Sequence, residues 1–353
     1  METSICSDKK LTAIDLFSGA GGLTCGLKQA GFKVLAGVEL NSVAAKTYRA
    51  NHPDAGLLEA DIRELSPRAV MRSLGLRRGS LGLLAGCPPC QGFSTLRTRR
   101  KAGSVEDSRN DLVYEFMQWV EAIYPHVVML ENVPSLAKDF RMEAVIGKLK
   151  QLGYHITENS LRIEDIAQYG IPQRRRRMIL VVSRTGTIDI DSITPTRKTV
   201  REAFANLKKA GESGDPLHDI PVHRTPKIQK MISLVPKDGG SRLDLPKEYW
   251  LECHKRYPHG FRDVYGRMSW DDVSPTITGG CTNPSKGRFL HPEEDRAITL
   301  REAAILQTFP PDYIFPIESG KDSIALMIGN ALPPTFIKKQ GELIKSHILK
   351  ISK

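Results

Sequence analysis

Apolar runs recur along the first half of the chain, each followed by a turn and then by a segment of helical period. Thr12–Phe17, Val34–Val38, Leu81–Ala85, His126–Leu130 and Met178–Val182 are apolar along most of their length. Short runs of this kind, bounded by turn residues, suit strands buried on both faces. Gly56–Ala60 reads as a further short strand, ending at Asp61, and Tyr154–Ile163 as an extended run. Helices are predicted up to Ala30, over Leu112–Tyr124 and over Met142–Leu152. Strands and helices in alternation predict an α/β fold with a parallel sheet, whose chemistry belongs at the carboxyl ends of the strands.

The pattern changes after Ser183. Residues 184–295 are rich in proline and glycine, with interleaved aromatics such as Tyr249, Trp250, Tyr257 and Phe261. They predict a separate irregular module with short strands, suited to lining a DNA groove or to forming a substrate lid. Arg296–Phe309 is predicted helical, with Thr299 as N-cap and Glu302 completing a capping box. Gly329–Pro334 is expected to open a last helix whose stripe Phe336, Ile337, Leu343, Ile344 and Ile348 packs back on the N-terminal sheet. The expected organisation is therefore a catalytic domain over 1–183, a small module with its hinge over 184–319, and a returning segment over 320–353.

Lysine and arginine exceed aspartate and glutamate by 11 in the 353 residues, and the pI is about 9.3. That excess favours a polyanionic partner, most often nucleic acid. No stretch approaches a membrane span and the first ten residues lack an apolar signal core, so a cytoplasmic protein is expected. Six scattered cysteines fit a reducing compartment. The single Cys-x-x-Cys has no second half, which argues against a metal site.

Candidate chemistry sits at the predicted strand ends. Ser18-Gly-Ala-Gly-Gly-Leu23 joins the first strand to a helix, a geometry in which glycines permit close approach and helix N–H groups face a ligand. Thr24 stands where a dinucleotide fingerprint needs its third glycine, so a pyrophosphate grip is disfavoured. Glu39 and Asp61, acids at the second and third strand tips, suit a ribose and an adenine amino group, or act as ordinary turn and cap residues. Gly86-Cys-Pro-Pro-Cys-Gln-Gly-Phe-Ser94 places Cys90 in a loop after the fourth strand. That cysteine is a buried structural thiol, half of a redox pair, or a nucleophile activated by basic neighbours. Glu131 tips the neighbouring strand, where an acid beside a thiol can hold a substrate nitrogen. In Gln173–Arg177, alternation along a strand would point Arg175 and Arg177 the same way.

Taken in order, these motifs resemble the DNA (cytosine-5) methyltransferase family. The resemblance rests on Asp15–Gly22, Pro88-Pro-Cys-Gln91, Glu131-Asn-Val133, Gln173-x-Arg175-x-Arg177, the stretch from Arg301-Glu302 to Leu306-Gln-x-Phe-Pro310, and Gly329-Asn-Ala331. It covers nearly the whole chain outside 184–295 and is nearest to stand-alone prokaryotic members, which often accompany a restriction endonuclease. It implies a Rossmann-like sheet of the S-adenosylmethionine-dependent methyltransferase type with a smaller target-recognition domain. S-adenosylmethionine is the implied cofactor, surrounded by Phe17, Gly19, Ala20, Gly21, Gly22, Glu39, Leu40, Asp61, Ile62, Pro89 and Asn330. The implied catalytic residues are Cys90, Glu131, Arg175 and Arg177. Cys90 adds to cytosine C6, Glu131 holds N3 and Arg177 holds O2.

The implied partner is double-stranded DNA with the target base flipped out, met by a monomer and by contacts from Gln91, Ser94, Arg97, Arg99, Thr276 and Thr278. The segment Thr95–Lys101 is the expected lid. Three positions depart from the family pattern: Leu40 replaces a common aromatic, Cys87 a common glycine or serine, and Ile305 a common arginine. A tRNA methyltransferase, a non-catalytic DNA-binding regulator and a nucleotide-dependent oxidoreductase are the competing readings. The Cys-Phe-Thr signature of the tRNA-acting relatives does not occur here.

Overall fold

The computed structural model describes residues 11–89, 111–188, 194–258 and 260–351. They form two compact units. The first comprises the chain to Ile166, Arg176–Thr194 and Pro334 onward; the second comprises Ala167–Arg175 and Pro195–Pro333.

The first unit is built on one sheet of seven strands. In chain order its elements are β1 (Thr12–Leu16), α1 (Gly22–Gln29), β2 (Lys33–Glu39), α2 (Ser42–Asn51), β3 (Gly56–Glu59), α3 (Pro67–Ser73), β4 (Leu83–Gly86), α4 (Leu112–Ile123), β5 (Val127–Asn132), α5 (Phe140–Gln151), β6 (Leu161–Asp165) and β7 (Arg176–Ser183). The spatial order is β3-β2-β1-β4-β5-β7-β6. Strands β1 to β5 run parallel, and β7 is antiparallel to both β5 and β6. Strand order reverses between β1 and β4, so the carboxyl ends of those two strands open a crevice at the switch point.

Burial explains the apolar runs. Every residue of β1, β4 and β5 is buried, so both faces of the sheet centre must be covered. On one face Ile14, Leu16, Leu84, Val128, Leu130 and Leu180 pack with Phe116, Trp119 and Val120 of α4 and with Met142, Val145 and Leu149 of α5. Each large side chain buried in this cluster contributes about 1.5–3 kcal/mol.

The second unit contains α6 (Val200–Phe204), α7 (Pro226–Leu234), α8 (Glu252–Arg256), α9 (Leu300–Leu306) and α10 (Lys321–Asn330). The short strands expected here do not form; the described residues of this unit pair only through isolated bridges such as Gln173 with Ser274 and Arg267 with Leu290. Frequent prolines remove ladder donors, and glycines add an entropic cost to extended pairing. Its core is a small cluster of Met231, Ile232, Val235, Leu245, Tyr265 and Leu290. The predicted capping box is present at α9: Thr299 Oγ1 accepts from the Glu302 N–H, and Glu302 Oε2 accepts from the Thr299 N–H at 2.7 Å.

The last helix, α11 (Pro334–Ile351), belongs to the first unit. It begins later than the sequence pattern suggests. Gly329 and Asn330 close α10, and Ala331 is extended, because the residues leading into Pro333 and Pro334 are biased away from the helical region. Phe336, Ile337, Ile344 and Ile348 are buried as the stripe predicts. Helix α11 meets α1 closely. A Cβ on Gly26 would stand 2.5 Å from the Pro334 carbonyl oxygen and 2.6 Å from Ile337 Cβ. No helix among the described residues is long and apolar enough to cross a membrane.

Candidate active site

The turn after β1 is held in an unusual backbone geometry. Phe17, Gly19 and Gly21 have φ of 63°, 53° and 92°. For Phe17 a left-handed conformation costs on the order of 1–2 kcal/mol. Its surroundings hold it there: Ser18 N–H donates to the Val38 carbonyl, and Gly21 N–H to the Ser18 carbonyl. A Cβ placed on Gly19 would meet nothing within 4 Å, so the turn presents open backbone at the switch point. Ala20, Gly21 and Gly22 are buried beneath it.

Glu39, at the end of β2, braces this turn. Its Oε2 accepts from Gly19 N–H at 2.8 Å and its Oε1 from Asn41 N–H at 2.7 Å. The next residue, Leu40, is exposed. Asp61 caps the short turn Ile62–Glu64 and pairs with Arg63; the Arg63 guanidinium holds its carboxyl below the usual range. Ile62 itself is part of the core.

Beneath the turn lies a polar network that sequence reasoning did not pick out. Asp15 is fully buried in β1. Thr24 Oγ1 donates to its Oδ2 at 2.7 Å, and Oδ1 has no partner. Since the Thr24 proton is committed to Asp15, the Tyr48 hydroxyl at 3.1 Å from Thr24 Oγ1 donates to it. Tyr48 fits because Gly37 faces it: a Cβ there would lie 2.9 Å from the tyrosine hydroxyl oxygen. His52 packs edge-on against Tyr48, and its Nε2 lies 3.1 Å from the Gly21 carbonyl. A carbonyl only accepts, so Nε2 carries a proton. Burial pushes the Asp15 carboxyl up to about 7 and the His52 imidazole down to about 4. The available signal was a charged residue inside an apolar run.

At the ends of β4 and β5 a second group gathers. Glu131, 2% exposed, has Oε1 2.9 Å from Arg177 Nε at the start of β7, while Cys87 Sγ donates to its Oε2 at 2.6 Å. Register explains the meeting: Gly86 pairs with Leu130, and Glu131 with Ile179. Asn132 Nδ2 donates to the Pro88 carbonyl at 2.9 Å and ties the loop after β4 to the tip of β5. Pro89 is exposed just beyond. Cys90, Gln91, Ser94, Arg97 and Arg99, with the expected lid Thr95–Lys101, lie outside the described residues.

The arginine run divides between the units. Burial alternates as predicted, with Arg174 and Arg176 exposed and Arg175 buried, but β7 starts only at Arg176. In the second unit, Arg175 donates to the carbonyls of Ile277, Gly329 and Ala331 at 2.9, 3.0 and 3.3 Å. Beside it Gln173 Nε2 donates to Gln307 Oε1 at 2.7 Å, and the Gln173 Oε1 accepts from Ile277 N–H at 2.9 Å. Gly329 is required by this bracket: an added Cβ would fall 2.2 Å from the Thr278 carbonyl carbon. Thr276 Oγ1 donates to the Arg174 carbonyl at 2.7 Å, and Thr278 and Asn330 are exposed.

Known proteins resemble this chain along its length. A family model for C-5 cytosine-specific DNA methylase matches residues 11–346. The Type II methylase M.HgiDII of Herpetosiphon aurantiacus is 37% identical over 335 residues, 91% of each chain. The Type II methyltransferase M1.HphI of Haemophilus parahaemolyticus is 34% identical over 95% of this chain and 86% of its own. Among solved structures, a candidate DNA modification methyltransferase encoded within an Escherichia coli prophage superposes with a TM-score of 0.72 at 22% identity, over 96% of this chain and 99% of that one.

Proposed function

The chain belongs to the family of C-5 cytosine-specific DNA methylases, and on that premise we propose that it methylates cytosine C5 within a specific double-stranded DNA sequence, using S-adenosylmethionine. The observation that supports this reading best is the buried Glu131 carboxyl, held at the end of β5 by Arg177 beside the loop that leads to Cys90.

The first unit fits the cofactor. The open backbone at Gly19, the acid Glu39 braced behind it, and Asp61 and exposed Leu40 at the neighbouring strand tips form a cradle for a nucleoside. Phe17, Ala20, Gly21, Gly22, Ile62 and Pro89 line or support it. Bound there, S-adenosylmethionine supplies an electrophilic methyl group.

The chain's own residues prepare the base. Cytosine C5 is a weak nucleophile. Attack of the Cys90 thiolate on C6 forms an S–C6 bond and moves the ring electron pair to C5. Glu131 donates a carboxyl proton toward N3 as that charge spreads, and the Arg177 guanidinium donates to O2. After C5 has taken the methyl, its proton leaves to solvent, the S–C6 bond breaks, and the double bond returns. A stacked base is out of reach of this cysteine, so the target must be swung out of the duplex. Arg97 and Arg99 grip phosphates, and Gln91 and Ser94 contact DNA. In the second unit Thr276 and Thr278 contact DNA, and Arg175 acts through the backbone it braces. Within this reading the enzyme is a cytoplasmic monomer that protects DNA against a companion endonuclease.

Bisulfite sequencing of plasmid DNA from cells expressing the protein tests the activity and exposes the site together. Cys90→Ser is expected to abolish turnover while leaving DNA binding in place, and DNA carrying 5-fluorocytosine to be trapped covalently. Methyl transfer to tRNA in place of DNA would refute the substrate.

A further inference from the structure

We propose that Cys87 is a positioning residue for Glu131, its thiol orienting the carboxyl plane for the base. The inference rests on the reading of Glu131 as the group that holds cytosine N3.

The terminal torsion of a glutamate is broad and two-fold, so a single contact leaves the carboxyl plane free to swing. Here the ion pair with Arg177 leaves Oε1 without a hydrogen bond, and the thiol supplies the directional contact. Arg177 Nε approaches Oε1 from β7, and Cys87 Sγ donates to Oε2 from the end of β4. Cys87 is itself fixed. Its N–H donates to the Leu16 carbonyl of β1 at 3.3 Å, and the carbonyl of the next residue, Pro88, accepts from Asn132 of β5. The thiol is thus referred to β1 and β5 at once, and the carboxyl it touches is 2% exposed, with little water to replace a lost donor. A glycine at this position would offer no side-chain donor; a serine would offer one of similar reach.

The test is a double-mutant cycle, read as single-turnover methyl transfer from radiolabelled S-adenosylmethionine to unmethylated plasmid DNA, so that slow variants stay measurable. Cys87→Ala is expected to slow transfer about 10-fold, with cofactor and DNA dissociation constants and the melting temperature unmoved. Cys87→Ser is expected to recover most of that rate. On a Glu131→Ala background, which removes the acceptor, Cys87→Ala should cost nothing further, because the thiol acts through the carboxyl. Cys87→Gly repeats the test without a donor if alanine disturbs the loop. Multiplicative losses in the double variant, a defect confined to cofactor or DNA binding, or no recovery with serine would each overturn the role of the thiol. Wild-type transfer by Glu131→Gln would instead overturn the reading of Glu131 itself.

Discussion

Asp15→Asn should make stability less dependent on pH. In the wild type a carboxyl with an ordinary value of 3.8 is raised to about 7 by complete burial, with one oxygen unpartnered. Between those values the folded state keeps a proton that the unfolded state has released, so stability falls as pH rises, by about 1.4 kcal/mol per unit. From about pH 5 to about pH 8 the loss amounts to roughly 2.5 kcal/mol, and it levels off about one unit above the folded value. Asparagine keeps the acceptor for Thr24 and cannot ionise. Its amide group replaces the unpartnered oxygen, at a cost that does not vary with pH. The assay is urea unfolding of both proteins across pH, plotted as the difference, variant minus wild type. The difference matters because His52, lowered to about 4 by burial, acts in the opposite sense. Its stabilisation is complete above about 6.5 and is lost as pH falls toward 4, in both proteins alike. The difference should widen in favour of asparagine by about 2.5 kcal/mol between pH 5 and 8 and then stay level. A difference that does not change with pH would refute the buried-charge argument.

Three packing predictions follow from close approaches. Gly26→Ala places a methyl against the Pro334 carbonyl and Ile337 of α11; a net loss of about 1–2 kcal/mol is expected once the helix-propensity gain is offset, read as a lower urea midpoint. Gly329→Ala drives a Cβ into the backbone of Thr278 and Gly279, and should cost about 3 kcal/mol, with faster limited proteolysis within 195–333. Arg175→Lys keeps the charge but lacks the planar fork that meets three carbonyls; a loss of about 2–4 kcal/mol is expected, and an unchanged unfolding curve would contradict the bracket.

Much of this protein could be read from its sequence, because local rules decide it. The runs at Thr12–Leu16 and Val127–Asn132 are apolar since both sheet faces are covered, and that pattern alone marks them as buried strands. Thr299 and Glu302 announce the start of α9 because a capping box spans only four residues. Glu131 could be placed beside the loop after β4 because adjacent parallel strands end together. What periodicity could not decide was where long-range contacts overrule it. The helix Lys321–Asn330 has no clear stripe, so its existence depends on what packs around it. Arg175 and Arg177 lie two apart and keep the alternation of burial, yet one guanidinium meets carbonyls of residues 277, 329 and 331 and the other meets Glu131. Asp15 and Cys87 bear names that any sequence shows, but the partners that give them consequence are Tyr48 by way of Thr24 for one and Glu131 for the other, on separate strands and helices. Strand and cap signals are properties of a few neighbouring residues. A buried carboxyl's charge or a thiol's aim depends on groups that only the folded chain brings within hydrogen-bond distance.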